Sequence, residues 1–241
     1  MKKILLSVIL LTVFNSYAQE AYLYSGNNIT NYKYKIGKKT FNSNLQSGSG
    51  NFYEVGLISP IVNNRIFYSV GVSMNEFNSL GSTLTSSYKW NTRFFGVDSG
   101  ISFSLFPKKN KINNNVEKDL SKDEKMSSDI DKSNVKKHFR NKSLSFKRFD
   151  FLVDIAVNVN TIVYGKQEID GVYFDLLKEN EFSGIFIGSK VGAKLKYLVS
   201  PYVSTSLGYS FFQNYNITNS TEEKLSFNTN QVQFGLHFNI N

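Results

Sequence analysis

The segment that decides the fold is the last one, Gln231–Asn241, "QVQFGLHFNIN". Every second residue is apolar: Val232, Phe234, Leu236, Phe238 and Ile240. Between them lie Gln231, Gln233, Gly235, His237 and Asn239. A period of two sends successive side chains to opposite faces of a strand. The segment is therefore a strand with one apolar, aromatic face and one small or polar face.

The same alternation recurs upstream. Val203, Thr205, Leu207, Tyr209 and Phe211 oppose Ser204, Ser206, Gly208 and Ser210. Ile185, Ile187, Val191, Ala193, Leu195 and Tyr197 oppose Gly188, Lys190, Gly192 and Lys194. Phe149, Phe151, Val153, Ile155, Val157 and Val159 oppose Asp150, Asp154, Asn158 and Asn160. Phe95, Val97, Ile101, Phe103 and Leu105 oppose Gly96, Asp98, Gly100, Ser102 and Ser104. Ile66, Tyr68, Val70, Val72 and Met74 oppose Arg65, Ser69, Gly71 and Ser73, and Tyr53, Val55 and Leu57 oppose Glu54 and Gly56. The first strand falls within Tyr22–Ile36, where Tyr32, Tyr34 and Ile36 alternate with Lys33 and Lys35.

Eight such segments of about 9–14 residues match a tilted barrel, whose membrane strands need about 9–11. The fold expected is all-β: an eight-stranded antiparallel up-and-down transmembrane barrel. In this reading the apolar faces meet lipid, and small and polar groups fill the lumen. Closure of the last strand on the first removes the sheet edges. The alternative is a soluble secreted barrel or sandwich binding a small ligand, with the apolar face inside. The nearly uncharged apolar faces and the Gly- and Ser-rich polar faces favour the membrane.

Composition narrows the function classes. The chain has 241 residues and no Cys, which excludes disulfides, Cys-ligated metals and cysteine nucleophiles. The formal charge is +9, but Lys2 and Lys3 carry two of those charges. Pro107–Lys147 holds 12 Lys/Arg against 6 Asp/Glu. The remainder is close to neutral, so no basic surface for nucleic acid is expected.

Residues 1–18 read as a secretory signal peptide. Lys2 and Lys3 precede the apolar run Ile4–Phe14, and Ser16 and Ala18 are small residues placed for cleavage between Ala18 and Gln19. One barrel domain is expected from 19–106, carrying strands 1–4, together with 148–241, carrying strands 5–8. Between them, 107–147 is a basic insert. Its composition suits disorder or a partial helix, with Ile112, Val116 and Leu120 at helical spacing. Strand parity puts this insert in the periplasm. It places the connections Gly37–Gly50, Glu76–Thr92, Gly165–Asn180 and Asn216–Leu225 outside, all long and polar, whereas Pro60–Asn64 and Leu198–Val199 are short periplasmic turns.

The pattern resembles the small eight-stranded outer-membrane barrels of the OmpA/OmpX type, and the outer membrane protein beta-barrel domain group of Bacteroidetes. "SYAQ" at the cleavage site, the strand alternation and the ending "VQFGLHF" carry the resemblance. It implies residence in the outer membrane of a Gram-negative cell. It also implies an assembly signal at Phe234, Leu236 and Phe238, read by the barrel-assembly machinery. Some relatives serve type IX secretion, but no residue set specific to that role is present.

No cofactor motif appears. His138 lies in the insert and His237 on the lumen face of the last strand. A Ser–His–acid site, as in outer-membrane deacylases and acyltransferases, is the enzymatic alternative, but His237 falls at the periplasmic end. No paired-His metal spacing is present. The lumen charges Glu54, Arg65, Asp98, Asp154, Lys190 and Lys194 are expected to pair, because unpaired buried charge is costly. The function expected is a non-enzymatic barrel with a structural, adhesive or envelope-assembly role. Its expected partners are outer-membrane lipid, the assembly machinery and an envelope partner at the insert. A monomer is expected.

Overall fold

The computed structural model describes residues 20–36, 39–40, 45–62, 65–82, 86–106, 148–180, 182–217 and 223–240. The expected signal peptide, its expected cleavage site at Ala18 and Gln19, and the insert 107–147 with His138 lie outside the described residues.

Among these residues eight long strands form one antiparallel sheet: β1 (Glu20–Ile36), β2 (Leu45–Val62), β3 (Ile66–Ser82), β4 (Ser87–Ser104), β5 (Phe149–Ile169), β6 (Ile185–Leu198), β7 (Val203–Asn216) and β8 (Glu223–Asn239). Each pairs with its sequence neighbour, and β8 returns to β1 over its whole length, from Glu20↔Asn239 to Ile36↔Glu223. The sheet is therefore a closed barrel. Both ends of the described wall, Glu20 and Asn239, lie at one rim, called proximal below.

Register fixes the tilt. Following cross-strand partners from Leu23 through Val55, Val72, Val97, Val159, Ile187, Tyr215 and Ser226 leads back to β1 at Lys33, ten residues beyond the start. With strands about 4.8 Å apart and a rise of about 3.3 Å per residue, that stagger tilts the strands by about 40°.

The wall is inverted relative to a water-soluble protein. Outward residues are apolar: Val157 is 56% exposed and Leu207 62%. Their inward neighbours Asn158 and Ser206 are buried. Nothing but hydrocarbon suits that exterior over so many strands. The soluble alternative is overturned by this inversion.

Three expectations need correction. The first strand carries its aromatics inward: Tyr22, Tyr24 and Tyr32 are buried in the lumen, while Lys33 and Lys35 are exposed outside. The supposed long loops are mostly strand. β3 and β4 run to Ser82 and from Ser87, and β5 runs to Ile169 before a two-residue turn. That turn is Asp170–Gly171, with φ of 48° and 84°, the left-handed pair a tight hairpin needs. It leads into Val172–Asp175, which pairs back on β5. Finally, Arg65 sits in the exposed proximal turn between β2 and β3 and not in the lumen. The turn places Arg65 one residue before β3, so the alternation that aims Ser69 inward does not reach it.

Candidate functional site

The lumen is built in layers. At the proximal mouth Glu20 of β1 meets Lys196 of β6 at 2.5 Å and His237 Nδ1 of β8 at 2.5 Å. His237 Nε2 lies 2.9 Å from Ser206 Oγ of β7. One step deeper, Lys190 pairs with Glu54 at 3.2 Å and Lys194 with Asp154 at 3.2 Å. Two tyrosines of β1 complete this layer. Tyr22 donates to Glu54 (2.7 Å), and Lys194 donates to the Tyr24 hydroxyl (3.0 Å). Ser102 donates a short hydrogen bond to Asp154.

Glycines make room for the tyrosines. Gly56 and Gly71 face each other across β2 and β3. A Cβ on Gly56 would stand 2.6 Å from the Tyr22 hydroxyl, and one on Gly71 2.4 Å from it. The ring thus occupies the space that two side chains would fill, which is how Tyr22 reaches Glu54.

Among the described residues no cation lies within ion-pair distance of Asp98. It accepts from Ser73 (2.6 Å), which accepts from Asn75 (3.0 Å). Asn75 accepts in turn from Asn28 (3.4 Å), and Asn28 from Gln231 (2.9 Å). Four donors in series, from β8, β1 and β3, thus point toward one carboxylate.

Above this amide layer lies an aromatic one. Phe77, Phe94, Phe186 and Phe227 are fully buried with Tyr32 and Leu225. The Phe77 and Phe227 rings are 4.6 Å apart, and Phe94 and Phe186 5.1 Å apart. Leu176 and Phe182, from the connection between β5 and β6, fold down onto them. Trp90 meets Phe182 edge-on at 5.2 Å. Sequence reading missed this layer because it assigned Gly165–Asn180 to a polar external loop and gave the lumen only small and polar groups. Phe186 and Phe227 each sit in phase with the polar face, which is the signal that could have found it.

Of the six lumen charges expected, the structure brings together Glu54, Asp98, Asp154, Lys190 and Lys194, and leaves out Arg65. These five line a cavity of only about 20 Å³, room for about one water. The cluster missed is Glu20, Lys196 and His237. Lys196 was readable from its phase with Lys190 and Lys194. Glu20 was hidden, being the first residue of its strand.

The series Ser206–His237–Glu20 has the spacing of a nucleophile, base and acid. Its hydroxyl is sealed, however, with Ser206 3% and His237 1% exposed. The acid is also held by Lys196. In place of an open catalytic cleft, the series ties β1 to β6, β7 and β8 where the barrel closes. Among the described residues no group of three His, Asp or Glu side chains is set to hold a metal. Phe234, Leu236 and Phe238 of the terminal strand lie on its lipid-facing side.

No family model and no curated protein matches the chain. Solved structures similar to it include Neisserial surface protein A (NspA), at 11% identity over 91% of this chain and 97% of that one, with a TM-score of 0.44. Ail, the attachment invasion locus protein of Yersinia pestis, is 10% identical over 91% and 99%, with a TM-score of 0.36. The outer membrane protease OmpT from Escherichia coli is 7% identical over 92% and 96%, with a TM-score of 0.41. The closed eight-stranded wall, apolar outside and polar within, is that of a small outer-membrane barrel of the OmpA/OmpX type.

Proposed function

We propose that this chain is a non-enzymatic, non-conducting barrel of the outer membrane that works through its two ends, in a structural, adhesive or envelope-assembly role. The observation that carries the reading is the doubly closed lumen: a layer of buried ion pairs beneath a layer of packed aromatics. Such an interior supports a barrel that passes no solute and holds no substrate in its lumen. What remains available to partners is the distal rim, where β3, β4 and β5 rise into hairpins, and the basic insert 107–147, which joins β4 to β5 after their proximal ends.

In this reading the signal peptide exports the chain to the periplasm of a Gram-negative cell of the Bacteroidetes type. The barrel-assembly machinery reads Phe234, Leu236 and Phe238, and the barrel stands as a monomer in outer-membrane lipid. The insert, net +6, attracts an anionic envelope partner from the periplasmic side.

The test is conductance. Refolded protein in a planar lipid bilayer is expected to give no channel steps. Regular ohmic steps would overturn the closed-lumen reading.

The enzymatic alternative rests on the Ser206–His237–Glu20 series. A serine-directed fluorophosphonate is expected to leave Ser206 unlabelled in the folded barrel. Stoichiometric labelling would replace the non-enzymatic reading with a hydrolytic one.

A further inference from the structure

The lipid-facing wall carries one place where polar groups and an apolar hollow are stacked in register. On the outside of β1, β2, β3 and β4 runs a polar row: Asn27, Asn51, Glu76 and Arg93. Asn27 faces Asn51 across β1 and β2, and Glu76 faces Arg93 across β3 and β4. Ser49 donates to the Asn27 side chain at 2.8 Å. Glu76 joins the two halves, accepting from the Asn51 backbone N–H at 3.3 Å and from Arg93 at 2.7 Å.

Two residues nearer the proximal rim, the next outward row is Ser25, Tyr53, Met74 and Phe95. The row after that is Leu23, Val55, Val72 and Val97. Six of these residues, Leu23, Tyr53, Val55, Val72, Met74 and Phe95, line a hollow of about 260 Å³ in the barrel's outer surface. The hollow therefore opens directly below the polar row.

Polar groups begin early on the outside of this face. β4 stays apolar outside from Phe95 to Leu105 and β5 from Phe149 to Val159, apart from Ser99. β1 has only Ala21 and Leu23 before Ser25 and Asn27 begin. Its neighbour β8 turns polar at Asn230, just past Val232. Amides at that depth require hydrogen-bonding partners that acyl chains do not supply.

The arginine is partly free. Its side chain is 46% exposed, and one terminal nitrogen is committed to Glu76. The guanidinium also lies 5.9 Å from the ring centre of Tyr164 on β5. A planar fork held at its base by a carboxylate and flanked by a ring is well set to receive a phosphate on its open side.

We propose that this face binds one phosphorylated glycolipid of the distal leaflet. An acyl chain fills the hollow between Leu23 and Phe95. The sugar hydroxyls meet the amides of Asn27 and Asn51, and a phosphate meets Arg93. The assignment rests on the reading of the chain as an outer-membrane barrel and is independent of whether the lumen conducts. The occupant is a lipid, not a protein, because the hollow is continuous with the lipid-facing belt and its one cation stands at headgroup height.

The test uses the full mature chain, refolded in neutral detergent and presented with bisphosphorylated lipid A, with the bound lipid counted by native mass spectrometry. A folded band of distinct mobility on an unheated gel is run in parallel, so that failure of the barrel is seen separately from failure of the site. The wild type is expected to keep one lipid A, at least tenfold tighter than the dephosphorylated form. Millimolar inorganic phosphate is expected not to displace it. Arg93→Gln is expected to weaken binding about tenfold. Met74→Trp, which fills the hollow and leaves Arg93 in place, is expected to do the same. Glu76→Gln removes the competing carboxylate and is expected to bind as tightly as the wild type or tighter. Equal affinity for the dephosphorylated lipid would overturn the proposal, as would displacement by inorganic phosphate, which would mark a plain anion site. If the substituted chains fail to fold, these two comparisons on the wild type decide.

Discussion

Lys190 of β6 and Glu54 of β2 stand 136 residues apart in sequence and meet at 3.2 Å inside the barrel. The strands that carry them are on opposite sides of the wall, so the pair spans the lumen. It balances charge across the lumen, and Tyr22 donates to the other oxygen of Glu54.

Removing one partner strands the other in a dry interior. Lys190→Met is expected to cost about 3–5 kcal/mol, the range for breaking a buried ion pair from one side. Pairing it with Glu54→Gln, which keeps an acceptor for Tyr22, is expected to recover most of that loss. Urea unfolding in detergent micelles, followed by the shift between folded and unfolded gel bands, measures both. Equal stability of the single and double variants would contradict a direct interaction.

The glycine pair beneath Tyr22 gives a steric prediction. Gly71→Val would force a side chain into the space held by the Tyr22 hydroxyl, an overpacking expected to cost about 1–3 kcal/mol. Combining Gly71→Val with Tyr22→Ala is expected to relieve part of it. The temperature at which the folded gel band is lost compares these two variants with Tyr22→Ala alone and the wild type. Strict additivity would show that the tyrosine does not use that space.

Phe227 touches Tyr32, Phe77, Phe94 and Phe186 in the distal layer. Phe227→Ala is expected to destabilise the barrel by about 3–5 kcal/mol. It is expected to leave the bilayer electrically silent, because the ion-pair layer lies intact below. Conductance appearing in this single variant would make the aromatics the seal and the charges incidental.

At the distal tip, Gly171 holds a φ of 84° between β5 and Val172–Asp175. A β-branched residue does not adopt that conformation readily. Gly171→Val is expected to loosen this hairpin without unfolding the barrel. Chymotrypsin added to whole cells should then cut faster at Tyr173 or Phe174, while the folded gel band persists. Unchanged cleavage would mean that the turn does not set the hairpin.

The architecture was legible because lipid imposes a one-sided rule on every strand. The outward sets of β3 to β8, from Ile66 to Phe238, could be read off their period alone. β1 broke the reading because its aromatics Tyr22, Tyr24 and Tyr32 are all on the lumen face. Its outer face turns polar at Asn27, Asn31, Lys33 and Lys35, so reading the aromatic side as the lipid side gives this strand the wrong sign. Arg65 was misplaced because a strand's alternation says nothing about the turn residue next to it. Loop lengths failed for a related reason. Polar stretches such as Glu76–Thr92 look like loops, yet above the membrane a strand is polar on its outer face as well. Which charges meet was beyond the sequence: Glu20 with Lys196, and Lys190 with Glu54, are set by a ten-residue stagger that exists only once the barrel has closed.

The central claim is that the wall is apolar outside and polar within. Spin labels placed one at a time on cysteines at positions 153 to 159 of β5, in the protein reconstituted into lipid, test it most directly. Val153, Ile155, Val157 and Val159 are predicted to give labels open to oxygen and closed to a water-soluble nickel complex. Labels at Asp154, Ala156 and Asn158 are predicted to be shielded from both. A phase shifted by one residue, with the odd positions dark to oxygen, would turn the barrel inside out and contradict the account.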